Sequence, residues 1–129
     1  MTAAEFIPES SFEESLCAAQ AGKIRTDELI REFLENDVAM PSSTEVLADG
    51  SGVSPVFYDK DGISMAAVFT SLERAKRVSS IATYCLQINA KQLLRRMPSD
   101  VGLVINPGYA VGFDISPSGI REILGEFRD

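Results

Sequence analysis

The sequence predicts an α+β domain in which a largely antiparallel β-sheet is flanked by helices and preceded by a helical hairpin. Two amphipathic stretches come first, and segments typical of strands, mixed with short helices, follow them. In the run 101–115, β-branched and aromatic residues flank the turn sequence Asn-Pro-Gly-Tyr at 106–109, which predicts a central β-hairpin. A chain of 129 residues fits a single domain, with a core expected from about residue 10 to 127.

The helical hairpin is predicted from the first amphipathic stretches of the chain. Ser11 and Glu14 have the spacing of a capping box, in which each side chain bonds an open backbone N–H of the first turn. Gly22 suits the left-handed end of that helix, and Thr26 or Asp27 begins the second helix. Two helices joined by so short a turn pack antiparallel.

The middle of the chain is predicted to hold short strands around one long loop. A strand at 38–41 is confined to an end or an edge by its proline, and the polar residues 42–54 form the longest and most mobile loop. A hairpin turn at 59–62 then joins two strands, and Thr70 or Ser71 caps a short helix after them. These two strands and the helix are predicted at 56–58, 63–69 and 72–79.

The last part of the chain is predicted as strand, helix, hairpin and helix. Asn89 is a suitable N-cap after a strand at 84–88, and Pro98 ends the helix that it begins. After the hairpin, Ser116-Pro117 supplies a cap and a proline at the first helical position. The apolar stripe of this final helix consists of Ile120, Ile123, Leu124 and Phe127.

The composition excludes several kinds of chemistry. Histidine is absent, which removes the commonest general base, the commonest metal ligand and every Ser–His or Cys–His pair. Cys17 and Cys85 form no metal-ligand pattern and are expected to be small core residues in a reducing compartment. No apolar run approaches the roughly 20 residues of a membrane span, and the acidic N-terminus is unlike a signal peptide. We therefore expect a cytoplasmic protein without cofactor, metal or membrane partner.

The charge of the chain is unevenly distributed. A net charge of −7 argues against a general nucleic-acid binder. Residues 1–50 contain eleven acidic and three basic residues, whereas residues 51–100 contain four acidic and seven basic ones. The two regions can attract each other within one molecule or between two copies, which would give a homo-oligomer.

Two segments carry a resemblance to a known family. The run 67–75, AVFTSLERA, resembles the "AFTSLERL" signature of the SseB N-terminal domain family (enhanced serine sensitivity proteins), and 102–108, GLVINPG, resembles its "GLVLNPG" hairpin. With the helices in the same order, the resemblance extends from about Phe12 to Leu124. It implies a small bacterial α+β protein, often followed in the family by a C-terminal domain. It supplies no catalytic residues and no agreed activity.

Acidic candidates are interpreted as structural. The turn at 59–62 has two aspartates in the spacing of a calcium loop, but Val68 stands where that loop needs a glutamate. A plain β-turn is therefore predicted. Glu13 and Glu14 are expected on an outer helix face, solvated and with ordinary pKa values. The same interpretation applies to Glu32 and Glu35.

Candidate binding residues lie in the second half. Thr70 and Ser71, at the start of a helix, could present an anion site, although helix capping is the better account of them. A basic group is expected on two neighbouring helices, as a solvated face or as a docking surface for an acidic partner. It consists of Arg74, Lys76, Arg77, Lys91, Arg95 and Arg96. Tyr109 is expected at the hairpin tip, either packed back on the domain or acting as a binding anchor.

Two functions from different classes remain open. The first is a non-catalytic protein-interaction module that uses the sheet edge, the basic helices and the loop 42–54, with a secretion or effector chaperone as a variant. The second is an enzyme or binding domain for a small anionic metabolite, built on Thr70, Ser71 and the arginines. The second predicts a concave pocket lined by those residues.

Overall fold

The computed structural model describes residues 6–126, which form an α+β arrangement of five helices and two sheets. The predicted fold class is confirmed. Phe127, the last residue of the predicted apolar stripe, lies outside the described residues, as do 1–5 and 128–129. None of the helices within 6–126 has the length and apolarity that crossing a bilayer requires.

The helical hairpin consists of α1 (Ser11–Gln20) and α2 (Thr26–Leu34), as predicted. The predicted capping box is wrong by one residue, because Ser10 is the N-cap and accepts from the Glu13 N–H over 3.1 Å. The Glu13 carboxylate in turn accepts from the Glu9 N–H over 2.8 Å. Helix α1 therefore begins one residue earlier than the sequence pattern indicated, and Glu13 in its first turn is buried.

The strands form two sheets instead of one. The two-stranded sheet pairs β1 (Asp37–Ser42) with β4 (Tyr84–Asn89) in antiparallel register. The four-stranded sheet has the order β2-β3-β5-β6, and its central pair, β3 with β5, is parallel while its outer pairs are antiparallel. Its strands are β2 (Phe57–Lys60), β3 (Ile63–Val68), β5 (Gly102–Ile105) and β6 (Phe113–Ile115).

Backbone hydrogen bonds join the two sheets within the run 67–75. Ala39 in β1 and Phe69, just after β3, exchange two hydrogen bonds of 2.9 and 2.8 Å. Ser42, at the end of β1, is fully buried and its hydroxyl accepts from the N–H groups of Thr44 and Ser54. The loop between β1 and β2 is therefore fixed to the domain at its base.

The remaining helices cover different parts of the core. The short α3 (Leu72–Ala75) and the 3₁₀ turn after it, Lys76–Val78, pack with Ala39, Ala67 and Phe69. By contrast α4 (Ala90–Arg96) and α5 (Pro117–Glu126) share the larger core with α1 and α2. The expectation that the two basic helices are neighbours is therefore not met, since α3 and α4 bury their apolar residues in separate clusters.

Candidate functional site

The most unusual feature of the interior is a buried ion pair between Glu13 on α1 and Arg74 on α3. Glu13 is 1% exposed and the Arg74 side chain 12% exposed. Arg74 Nη2 lies 2.9 Å from Glu13 Oε1 and Arg74 Nε lies 3.1 Å from Oε2, so the guanidinium holds the carboxylate by two parallel bonds. The prediction that Glu13 is solvated with an ordinary pKa is wrong, because α1 directs it inwards.

Thr70 and Asn106 complete this polar cluster. The Thr70 hydroxyl donates to Glu13 Oε2 and accepts from Asn106 Nδ2 over 3.1 Å. The Thr70 N–H donates to Asn106 Oδ1 over 3.0 Å. Asn106 is 1% exposed and has φ +58, a left-handed conformation that asparagine tolerates better than most residues. The cluster thus joins the end of β3 to the connection between β5 and β6.

The surroundings of Glu13 keep the pair ionised. Burial by itself would raise the pKa of the Glu13 carboxyl. Hydrogen bonds from Arg74, Thr70 and the Glu9 N–H, together with the charge of Arg74, outweigh burial and hold that pKa below its ordinary value. The same bonds to Glu13 raise the pKa of the Arg74 guanidinium. At neutral pH the cluster is therefore a charged pair whose side chains are satisfied.

Tyr109 packs back on the domain and covers Arg74. Its hydroxyl donates to the Arg74 carbonyl oxygen over 2.9 Å, and its ring meets Phe69 edge to face, with the centroids 6.1 Å apart. The Arg77 guanidinium lies 4.9 Å above the Tyr109 ring. Gly108 makes this possible: its φ is +84, and a Cβ there would lie 2.4 Å from Arg77 Nε. Tyr109 is therefore one wall of an aromatic–arginine cleft, formed by Arg74, Arg77 and Tyr109.

The segment before α1 occupies this cleft. The Phe6 ring lies 4.2 Å below Arg74 Cζ and meets Tyr109 edge to face at 6.2 Å. Arg74 Nη2 donates to the Ile7 carbonyl oxygen over 2.7 Å, and Arg74 Nε lies 3.6 Å from the Glu9 carboxylate. One arginine therefore holds both a buried carboxylate and the segment that precedes α1.

The sequence of this chain matches one known protein family. Residues 12–122 match the family model described as the SseB protein N-terminal domain. The chain belongs to the SseB family. Neither a curated protein nor a solved structure matches it.

The family-like segments of this SseB domain meet at the polar cluster. The run 67–75 supplies Thr70 and Arg74, and the run 102–108 supplies Asn106. Glu13 was missed as a site residue because the sequence pattern placed it on an outer face. The sequence contains one indication that Glu13 is buried: it lies between Phe12 and Leu16, which are both core residues on the same helix.

The Thr70–Ser71 position already holds a carboxylate. Thr70 donates its hydroxyl to Glu13, and Ser71 caps α3 by accepting from the Arg74 N–H over 3.1 Å. Helix α3 is only four residues long. The donors that were considered for a small anion therefore serve the protein itself.

The other basic residues of this SseB domain are dispersed. Arg74 and Arg77 lie together at Tyr109, whereas Arg95 and Arg96 are exposed or half-buried with Lys91 on α4. The exposed side chains of Lys76 and Glu73 pair over 3.2 Å. The structure brings together only part of the predicted basic group.

Two cavities lie away from Thr70 and Ser71. One of about 460 Å³ lies between α1, α2, β6 and α5. The other, about 250 Å³, is lined mainly by apolar residues of the loop before β2, of the strands and of the segment after α4. Phe57 of β2 is one of them, and Arg96 adds a charge. Within residues 6–126, no group of three or more Cys, Asp or Glu side chains is placed to hold a metal ion.

One edge of the four-stranded sheet is exposed and aromatic. All four residues of β2 are exposed, including Phe57 at 52% and Tyr58 at 41%. Ile63, opposite Lys60 on β3, is 41% exposed. Because β2 is the first strand in the sheet order, its outer side has no ladder partner among residues 6–126.

Proposed function

We propose that this SseB domain is a non-catalytic protein-interaction module that binds a protein partner along the outer edge of β2. The observation that carries the proposal is the exposure of Phe57 and Tyr58 on an edge strand. An exposed edge with large apolar side chains is the kind of surface to which a partner's strand adds. Native proteins usually protect such an edge when it has no partner.

The register of the hairpin indicates which backbone groups of β2 are open to a partner. The Ala67 N–H donates to the Val56 carbonyl oxygen over 2.8 Å, so this pair is of the hydrogen-bonded kind. Such pairs alternate along an antiparallel ladder. Tyr58 and Lys60 therefore bond to β3, whereas Phe57 and Asp59 direct their N–H and C=O groups outwards. A partner strand would bond to these two residues.

The test is affinity capture from the native host with two matched variants. Phe57→Lys places a charge on the edge, and Ile81→Lys places the same charge at a residue that is 61% exposed before β4. We expect the natural chain and Ile81→Lys to capture the same protein and Phe57→Lys to lose it. Equal capture by all three chains would refute the edge as the binding surface, and no specific capture by any would refute the module.

Charge segregation supports an additional contact with a second copy of the chain, on surfaces other than β2. Asp27 and Glu28 at the start of α2 pair with Arg25, at 2.9 and 3.7 Å. Glu35 and Asp37 after α2 are exposed and leave this end acidic, whereas α4 ends in Arg95 and Arg96. Opposite charges of this kind attract over about one Debye length, near 10 Å at 0.1 M salt. Light scattering should then show a dimer at low salt, and the double variant Arg95→Glu with Arg96→Glu should be a monomer. A natural chain that is a monomer at low salt would contradict this contact.

We also propose that the module works in the cytoplasm, because the free, half-buried Cys17 and Cys85 suit a reducing compartment.

A further inference from the structure

We propose that the aromatic–arginine cleft of Arg74, Arg77 and Tyr109 is a peptide-binding site. Its ligand is an extended segment of a partner protein with an aromatic residue three positions before an acidic one. Residues 6–9 of this chain occupy the site in cis and compete with that partner. The inference rests on the proposed function in one respect, since a peptide-binding site is useful to an interaction module. The cleft itself is a different surface from the edge of β2.

The segment in the cleft shows which chemistry the site recognises. The Phe6 ring lies against the Arg74 guanidinium and meets the edge of Tyr109, and Glu9 places its carboxylate 3.6 Å from Arg74 Nε. The Ile7 carbonyl accepts from the same guanidinium, whereas the Ile7 side chain is 68% exposed. Recognition therefore depends on an aromatic ring, one main-chain carbonyl and an acid, and it tolerates different side chains at the second position.

The walls of the cleft are held by contacts that do not involve its occupant. Arg74 is held from below by two bonds to the buried Glu13, and Tyr109 by its hydroxyl bond and by the ring of Phe69. These residues belong to α1, α3, the end of β3 and the connection between β5 and β6. A pre-formed site loses little conformational entropy on binding, which favours affinity for a short peptide.

The occupant, by contrast, is attached mainly through one side chain. Residues 6–9 form no helix or strand, Ile7 and Glu9 are exposed, and Phe6 is half-buried and packs against the larger core. Apart from the bond between the Glu9 N–H and Glu13, all of its polar contacts described above go to the Arg74 side chain. Segments with few buried contacts open locally at small cost in free energy. A partner segment with the same pattern can therefore replace it.

The test uses the full chain with Phe6→Trp as a reporter, because the natural sequence contains no tryptophan. An unlabelled peptide of residues 4–11, AEFIPESS, is added while tryptophan emission is recorded. We expect a saturable red shift as the introduced indole leaves the cleft, at concentrations of about 1 mM because the cis segment competes as an intramolecular ligand. The same peptide with alanine in place of Phe6 should be at least about tenfold weaker, since it lacks the ring contact.

Matched variants assign the effect to the cleft. Arg77→Glu should weaken the displacement because it removes a cation from Tyr109, whereas Arg95→Glu on α4 should leave it unchanged. In the full chain with Phe6→Ala and Glu9→Gln, where the cis ligand is weakened, a labelled peptide should bind more tightly by fluorescence anisotropy. This second measurement decides the question if the larger indole does not fit the cleft.

The inference is overturned if the weakened chain, with a circular dichroism spectrum like that of the natural chain, shows no saturable binding. It is also overturned if the peptide with alanine binds equally well. Neither result bears on β2. A chain that captures its partner through Phe57 and yet binds no peptide leaves the proposed function standing and removes only the cleft.

Discussion

Replacing Arg74 by methionine should cost this domain about 3 kcal/mol of stability at pH 7. Removing one member of a buried ion pair typically costs 3–5 kcal/mol, because the remaining charge is left without a partner. We expect the lower end, about 3 kcal/mol, because Thr70 and the Glu9 N–H still donate to Glu13 and because Arg74 is 12% exposed. Domains of this size have roughly 5–15 kcal/mol of stability, so the variant should still fold.

The dependence on pH identifies Glu13 as the cause. In the natural chain the pKa of Glu13 is lowered below its ordinary value of 4.5. The contribution of ionised Glu13 to the stability of the natural chain is therefore complete above pH 4.5 and disappears as the pH falls through the lowered pKa. In Arg74→Met burial dominates and should raise the pKa of Glu13, so the variant gains stability as the pH falls from neutral. The difference between the two chains should be largest near pH 7 and smaller at about pH 4.

The assay is urea unfolding followed by circular dichroism for both chains at both pH values. Arg77→Met is the matched control, because it removes an exposed cation over Tyr109 and should cost only about 0.5–1 kcal/mol. That cost should not change between the two pH values. A loss below about 1 kcal/mol for Arg74→Met, or a difference that stays constant with pH, would refute the reasoning.

Three further substitutions test the cluster and the sheet. Thr70→Val should cost about 1–2 kcal/mol by denaturant unfolding, because Glu13 loses a donor, and Thr70→Ser should restore most of it. Asn106→Ala should cost more than Asn106→Gly, since glycine removes the same bonds but relieves the positive φ; equal melting temperatures would contradict this. Gly102→Ala should destabilise the fold by about 1–3 kcal/mol in thermal unfolding, because the new Cβ would lie 2.6 Å from the Ile115 carbonyl oxygen. Gly125→Ala in α5 is its control, since a Cβ there meets open space, and it should be neutral or stabilising.

The local elements of this fold could be predicted because each has its own signal. Asn89 caps α4 by accepting from the Gln92 N–H, as the sequence indicated. The turn between β2 and β3 contains Asp61 and Gly62, both with positive φ, which is the backbone such residues favour. The hairpin of β5 and β6 pairs Leu103 with Ile115, although its connection is longer than the predicted turn.

The parts that depend on long-range pairing could not be predicted. The parallel pairing of β3 with β5 joins residues far apart along the chain, such as Met65 with Gly102, and no local pattern specifies it. The burial of Glu13 depends on a partner, Arg74, that lies 61 positions away. A carboxylate on an amphipathic helix is normally solvated, and only this pairing makes its burial favourable. The cleft of Arg74, Arg77 and Tyr109 depends on the same pairing of Arg74 with Glu13, so the sequence did not indicate it either.

The central claim, that β2 is a protein-binding edge, is tested most directly by photo-crosslinking in the native host. A photoreactive amino acid replaces Phe57 in one chain and Ile81 in another, both of them exposed. We predict one defined crosslinked protein from position 57 that is absent from position 81. Crosslinks that are the same at both positions, or none above background from position 57, would contradict the account.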